Sequence, residues 1–175
     1  MKEEIINGIN YRLDEENLTA EVIYMDGYKG DIIIPETVVH ESVSYRVTSI
    51  EENAFAYSGL KSIVIPDTVT YIDGGAFEES HLTSVVIPDS VTLIGDGAFS
   101  GCVNIKSATV PALAIPYLPT SVQNVTITSG TKINAQAFKG FNALRSVTLC
   151  DSITEIGASA FESCTNLSTV LFEEN

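Results

Sequence analysis

Positive charge is scarce in this chain: nine Lys and Arg stand against 23 Asp and Glu among 175 residues, a formal charge of −14. Nucleic-acid phosphates demand clustered cations, so this balance excludes a nucleic-acid partner. Twelve of the acids fall in the first 52 residues, which reads as solubility and self-repulsion, with an electrostatic docking patch as the alternative. Long apolar runs are missing as well. None approaches the ~20 residues of a membrane helix, so no span is expected. Three cysteines, Cys102, Cys150 and Cys164, form no CxxC pair, which argues against structural zinc, and their odd number gives no disulfide framework. Met1-Lys2-Glu3-Glu4 is polar from the start, so no leader is read there: the protein is cytoplasmic or its leader has been removed.

What the chain has in place of these is a repeat. Ala-Phe recurs at Ala54-Phe55, Ala76-Phe77, Ala98-Phe99, Ala137-Phe138 and Ala160-Phe161, with the phenylalanines 22, 22, 39 and 23 residues apart. The same frame surrounds each, as in VTSIEENAFAYSGLKSIVIPDT (47–68) and VTYIDGGAFEESHLTSVVIPDS (69–90). The 39-residue gap hides a degenerate unit, because VQNVTI (122–127) matches the strand portion LKSIVI. Counted from that strand's first apolar residue, the units start at Leu60, Leu82, Ile105, Val122, Leu144 and Leu167. The fourth has dropped its Ala-Phe turn, and Pro111, Pro116 and Pro119 bridge the loss with a stiff extended segment.

Each unit reads as strand, turn, second short strand and short helical turn. Leu60, Ile63 and Ile65 are the apolar set of the first strand, which Pro66 ends by withdrawing an N–H. Val69 and Ile72 mark the second extended piece. Ala-Phe is assigned to a brief helical or 3₁₀ turn. A unit of this size cannot bury both faces alone, so successive units must stack at about 4.8 Å and share one core with an internal ladder of Phe.

Residues 1–46 fall outside the frame and are read as a cap, leaving 47–175 as the repeats, with the short unit at 112–130, in one continuous domain. Ile9–Leu13 and Thr19–Tyr24 alternate around Asp14-Glu15-Glu16-Asn17, a hairpin pattern. Asp31-Ile32-Ile33-Ile34-Pro35 shares the I-x-I-P ending of 63–66. No comparable lid follows the last strand at Phe172-Glu173-Glu174-Asn175, so an oligomer through an uncapped C-terminal end is possible.

The frame V-T-x-I-G-x-x-A-F-x-x-C-x-x-L-x-S-V-x-I-P, readable in 91–111 and 153–172, resembles the BspA-like class of bacterial leucine-rich repeats over about residues 31–175. The leader Tyr11-Arg12-Leu13, Thr19-Ala20-Glu21-Val22 and Ile34-Pro35 is similar to that family's hairpin. The resemblance implies a β-rich α/β solenoid: a right-handed leucine-rich-repeat superhelix of about six 22–23-residue units behind a β-hairpin cap. It also implies a surface-anchored or secreted bacterial protein that adheres to host or bacterial partners. No family catalytic residues exist to carry over. The chain departs from the pattern at its fourth unit and at Leu149-Cys150, where Ile-Pro is expected.

Other chemistries dissolve into the repeat. Gly95-Asp96-Gly97 with Gly101 spells G-x-G-x-x-x-G, but these glycines fill slots held by other residues in sister units, so no phosphate site is expected. His81 occupies a loop slot, and His40 lies near Glu36 and Glu41; neither has a Ser or Cys nucleophile with a motif, so no catalysis is expected. Cys102 and Cys164 hold one slot three rungs apart, roughly 14 Å at the strand spacing and too far for a disulfide. Glu36, Asp67, Asp89, Asp151 and Glu173 each follow the strand end, as turn chemistry or as a column of calcium ligands. Turn chemistry is preferred, and neither metal nor cofactor is expected.

The binding candidates lie on the strand face turned from the core: Lys61, Val64, Thr83, Val86, Lys106, Thr109, Arg145 and Thr148. Three of the nine basic residues fall in one column there, giving a mildly basic, hydroxyl-rich and β-branched strip suited to a polypeptide or glycan. Good strand formers with solvated tips would look the same. The function expected is a non-catalytic adhesion module for a host or bacterial surface protein or glycan. The alternative is a structural spacer or self-assembly domain.

Overall fold

The computed structural model describes residues 1–173, and Glu174 and Asn175 lie outside the described residues. The fold begins with β1 (Lys2–Ile6), β2 (Ile9–Asp14) and β3 (Thr19–Val22), an antiparallel meander. Asp14 fixes the second turn by accepting the Glu16 and Asn17 N–H groups at 2.9 and 3.1 Å. Next come β4 (Lys29–Ile33), β5 (Thr37–His40) and β6 (Val43–Ile50). β5 and β6 form a second hairpin whose turn residues, Glu41 and Ser42, both have positive φ. β4 pairs parallel with β7 (Gly59–Val64), opposing Ile33 to Val64, while β3 pairs parallel with β6. The meander and the repeats are thus joined by strand pairing at two places, and β6 runs across position 46.

From β6 onward two strand columns run through the repeats. The shorter pieces are β8 (Tyr71–Ile72) and β10 (Leu93–Ile94), which continue parallel from β6. The longer column follows β7 with β9 (Ser84–Val86) and β11 (Ser107–Val110). Then a 3₁₀ helix (Ala112–Tyr117) interrupts the shorter column, and β12 (Asn124–Ile127) adds to β11 in the longer one. β13 (Lys132–Ile133) and β15 (Glu155–Ile156) resume the shorter column as a separate pair, and β14 (Ser146–Leu149) and β16 (Thr169–Phe172) complete the longer one. Among the described residues every pairing between repeat units is parallel, and no sheet closes on itself.

The core lies between the two columns. Phe55, Phe77, Phe99 and Phe138 are almost wholly buried. Phe77 stacks between its neighbours at centroid distances of 5.4 and 5.0 Å with nearly parallel planes. Tyr28 starts this ladder at 4.6 Å from Phe55. A second stack joins Phe138 to Phe161 at 5.2 Å, with Phe141 set edge-on to Phe138. The ladder therefore comes in two pieces, separated where the fourth unit lacks its turn.

The Ala-Phe segments are hydrogen-bonded turns, not helical ones, and this corrects the helical assignment. In every complete unit the residues two before and two after the Phe have positive φ: Asn53 and Tyr57, Gly75 and Glu79, Gly97 and Gly101, Gln136 and Gly140, Ser159 and Ser163. An α-helix or 3₁₀ helix cannot contain such residues. Six of these ten positions carry a side chain that prefers negative φ, so something beyond local propensity holds the turn, and that is pairing with the next unit. The Asn53, Phe55 and Tyr57 N–H groups donate to the carbonyls of Gly74, Ala76 and Glu78 at 3.1, 2.7 and 2.7 Å. The fold is accordingly β-rich, and its helix is confined to the one 3₁₀ segment.

Arg12 ties the meander to the repeats. Its guanidinium donates to Glu51 at 2.8 Å and approaches Glu21 at 3.4 Å. Partial burial and the Glu51 charge raise the Glu21 carboxyl above its ordinary range, despite Arg12.

Phe77→Ala removes a ring buried between two others and is expected to cost about 3–5 kcal/mol. Phe161→Ala, at a half-buried site with a stacked neighbour on one side only, should cost clearly less; urea unfolding of both variants checks the order. Glu21 holds its proton more tightly when folded, so it weakens the fold at neutral pH and ceases to do so below its unfolded pKa. Glu21→Gln should therefore melt higher than the parent at pH 7, and the gain should vanish below about pH 4, as calorimetry across that range would show.

Candidate binding face

The longer strand column has one face in the core and one in solvent: Leu60 and Ile63 are buried while Lys61 and Val64 are exposed. The register shift that skips Lys61, between Gly30 and Asp31 of the neighbouring strand, lets residues three apart share a face. Lys61, Thr83, Lys106, Gln123, Arg145 and Ser168 form a continuous row. Each donates its N–H to the carbonyl of the one before: Thr83 to Lys61 at 3.2 Å, Lys106 to Thr83 at 3.0 Å, Gln123 to Lys106 at 2.8 Å, Arg145 to Gln123 at 2.7 Å and Ser168 to Arg145 at 3.0 Å. The structure thus brings together the four members of this row singled out from sequence, Lys61, Thr83, Lys106 and Arg145.

The other four lie in the third row. Val86 opposes Thr109, Thr109 opposes Thr126, and Thr126 opposes Thr148 in direct register. Leu171 extends that row past Thr148, and Ile33 extends it before Val64. Ile33 is 71% exposed, Val64 54%, Val86 55% and Leu171 54%, so apolar side chains flank a threonine centre. Sequence reasoning left out Ile33 because its unit is misspelt, although the Ile-Pro ending was a usable signal. Between these rows Ser62 donates to Asp31 at 2.6 Å and Ser146 to Asn124 at 2.8 Å, stitching neighbouring strands.

Ion pairs divide the basic residues, though not by face alone: Lys29 and Arg46, outside this row, also have no acidic partner within 4.0 Å among the described residues. Lys2, Arg12, Lys132 and Lys139 are all ion-paired; Lys132 meets Glu155 at 2.6 Å and Lys139 meets Glu162 at 3.2 Å in the next unit. Lys61, Lys106 and Arg145 have no acidic partner within 4.0 Å among the described residues. Lys106 reaches only the Val103 carbonyl, at 2.9 Å. The row therefore presents positive charge that the chain itself has not neutralised.

Six copies of the BspA type leucine-rich-repeat region match residues 48–119 and 117–175, and the two blocks meet inside the degenerate unit. The chain belongs to this family. A leucine-rich-repeat protein of Eubacterium ventriosum has the same fold at 23% identity and a TM-score of 0.56, over 90% of this chain and 50% of that one. The leucine-rich-repeat protein of T. pallidum is similar at 18% identity over 95% of this chain and 91% of that one, with a TM-score of 0.46. A leucine-rich cell surface protein of Faecalibacterium prausnitzii covers 100% of this chain and 96% of itself at 16% identity, with a TM-score of 0.32. No curated protein sequence matches the chain.

Within the BspA-type frame the remaining candidates find structural roles. A Cβ on Gly95 would collide with the backbone of Asp73 and Gly74, so this glycine permits the close approach of two units. Gly97 and Gly101 take the positive-φ turn positions. His81 is exposed. His40 lies in a surface cluster with Lys2 at 2.9 Å, Glu41 at 3.5 Å and Glu4 at 3.9 Å. In the acidic column Asp89 accepts from Thr128 and Ser129 at 2.6 and 2.8 Å, which is turn chemistry reaching across units. Among the described residues no three His, Cys, Asp or Glu side chains converge on a metal position.

All three cysteines are free thiols. Cys102 is buried, donates to the Phe77 carbonyl at 2.9 Å and lies 3.4 Å from the Ser80 hydroxyl. Burial raises its thiol, and raises that of the partly exposed Cys164 as well. In native protein at pH 8, iodoacetamide should modify Cys164 well before Cys102, and Cys102 only at the rate of unfolding. Mass spectrometry of a time course, without reductant, reads both thiols and should reveal no bridge between them.

Proposed function

We propose that the chain is a non-catalytic protein-binding module of a cell-surface or secreted bacterial protein, and that it adheres through the exposed face of its longer strand column. The observation that carries this reading is the row of Lys61, Lys106 and Arg145, unpaired in a chain of net charge −14. Beside it run threonines bounded by Ile33, Val64, Val86 and Leu171. Cations without intramolecular partners keep their charge for a partner, and β-branched side chains offer a stiff surface that loses little entropy on contact. This combination suits an acidic polypeptide or an anionic glycan on a host or bacterial surface. Residues 1–46 serve as the cap, 47–175 as a right-handed solenoid that displays the face, and the whole works as one domain.

The alternative reading is a structural spacer or self-assembly domain with no ligand of its own.

The binding face is tested by the triple variant Lys61→Glu/Lys106→Glu/Arg145→Glu, labelled and bound to bacterial and epithelial cells in flow cytometry. All three sites are exposed, so folding is retained. Reversing three charges should weaken attachment by about tenfold or more. Attachment equal to the parent excludes this face, and a concentration-dependent dimer in sedimentation without cell attachment supports self-assembly instead.

A further inference from the structure

The turn that the fourth unit lacks leaves backbone groups exposed on both sides of the gap. In the complete units three alternate N–H groups of each Ala-Phe turn donate to three alternate carbonyls of the next. Gly75, Phe77 and Glu79 donate to Asp96, Ala98 and Ser100 at 3.1, 2.8 and 2.8 Å. Gln136, Phe138 and Gly140 donate to Ala158, Ala160 and Glu162 at 3.1, 2.8 and 2.9 Å. The matching N–H groups of the third unit, on Gly97, Phe99 and Gly101, have no acceptor among the described residues. Across the gap, the matching carbonyls of Ala135, Ala137 and Lys139 receive no N–H from the described residues. The 3₁₀ helix stands between these two rows and pairs with neither.

A cleft of about 550 Å³ opens in front of the three N–H groups, walled by residues 96–101 with Val103 on one side and by 116–121 on the other. A second, of about 320 Å³, faces the carbonyls and shares Pro116. Gly97 and Gly101 are exposed, so water meets their N–H groups, while Phe99 is buried; a ligand that supplies acceptors in register replaces that water and gives the Phe99 N–H a partner. The ligand's chemistry follows from three constraints. The donors fall on alternate residues, the rhythm at which an extended polypeptide offers its carbonyls. The cleft wall carries the Asp96 carboxylate and no Lys or Arg, which repels phosphate and free carboxylates. Tyr117, Pro119 and Val103 give side chains an apolar rest.

We infer that this cleft is a peptide-binding site, taking an uncharged or basic extended segment of a partner protein that docks by its backbone carbonyls where the missing turn would lie. It is on the turn side of the molecule and does not depend on the cationic strand face.

The test uses the full chain, ¹⁵N-labelled, and a capped peptide with the sequence of residues 134–141, NAQAFKGF, which carries one Lys and no acid. Titration should shift the Gly97, Phe99 and Gly101 amide signals together with those of Tyr117, Leu118, Thr120 and Ser121, and slow the exchange of the three amides. Inorganic phosphate at the same concentration should shift none of them. Thr120→Trp, at an exposed position on the cleft wall, fills the cleft and should weaken the peptide at least tenfold. The triple Glu variant of the strand face should bind it like the parent. The inference is overturned if phosphate moves the three amides, if the peptide moves only residues of the strand face, if Thr120→Trp binds like the parent, or if the shifts follow protein concentration without peptide, which would make the occupant a second copy.

Discussion

Everything in this molecule depends on hydrogen bonds that no unit can complete alone. A turn with left-handed residues two places either side of its Phe directs three N–H groups one way along the stack and three carbonyls the other. Neither row has a partner inside its own unit. Pairing with the next unit fixes the spacing between rungs at that of parallel strands, and that spacing then brings the phenylalanines into near-parallel contact at 5.0–5.4 Å. The aromatic ladder is thus a result of backbone pairing as much as a cause of stability. The strained φ at Tyr57, Glu79 and Gln136 persists for the same reason, because the neighbouring unit holds it.

The same dependence explains what could be read from the sequence. Positions repeating every 22 or 23 residues are set by side chains that must coincide in space, so the Phe ladder, the strand rows and the damaged fourth unit are all spelt in the letters. The side facing solvent follows from the recurring apolar set exemplified by Leu60, Ile63 and Ile65, which is why Lys61, Lys106 and Arg145 could be placed in one row beforehand. Features resting on backbone geometry were hidden. The Glu41-Ser42 turn carries none of the Gly or Asn that usually marks a tight hairpin. The charged strand β1 reads as a polar tail until β2 is there to pair with it. The Ala-Phe segment reads as a brief helical turn because the letters carry no mark of its left-handed residues, six of which are not glycine, and the pairing with the next unit sets that geometry.

The proposed binding face and the cleft differ in origin. The face is made by repetition: one row recurs in each unit, and selection on single positions can tune it without touching the core. The cleft is made by a lapse in repetition, where a unit of 17 residues stands among units of 22 and 23. The strand side accommodates the loss, since β12 still pairs with β11 on one side and β14 on the other. All of the deficit therefore falls on the turn side.

That asymmetry has a mechanical consequence. Between the third and fifth units the strand side is bound by an unbroken hydrogen-bonded sheet, while the turn side is spanned by one short 3₁₀ helix and neither a shorter-column pair nor a ring stack crosses it. Bending that opens the turn side meets little resistance there, and bending that opens the strand side must break the sheet. The stack behaves as two stiff blocks on a one-way hinge, with compliance concentrated near residues 112–130. A load applied across the molecule would be felt first at this place, and the shape of the cleft would report it.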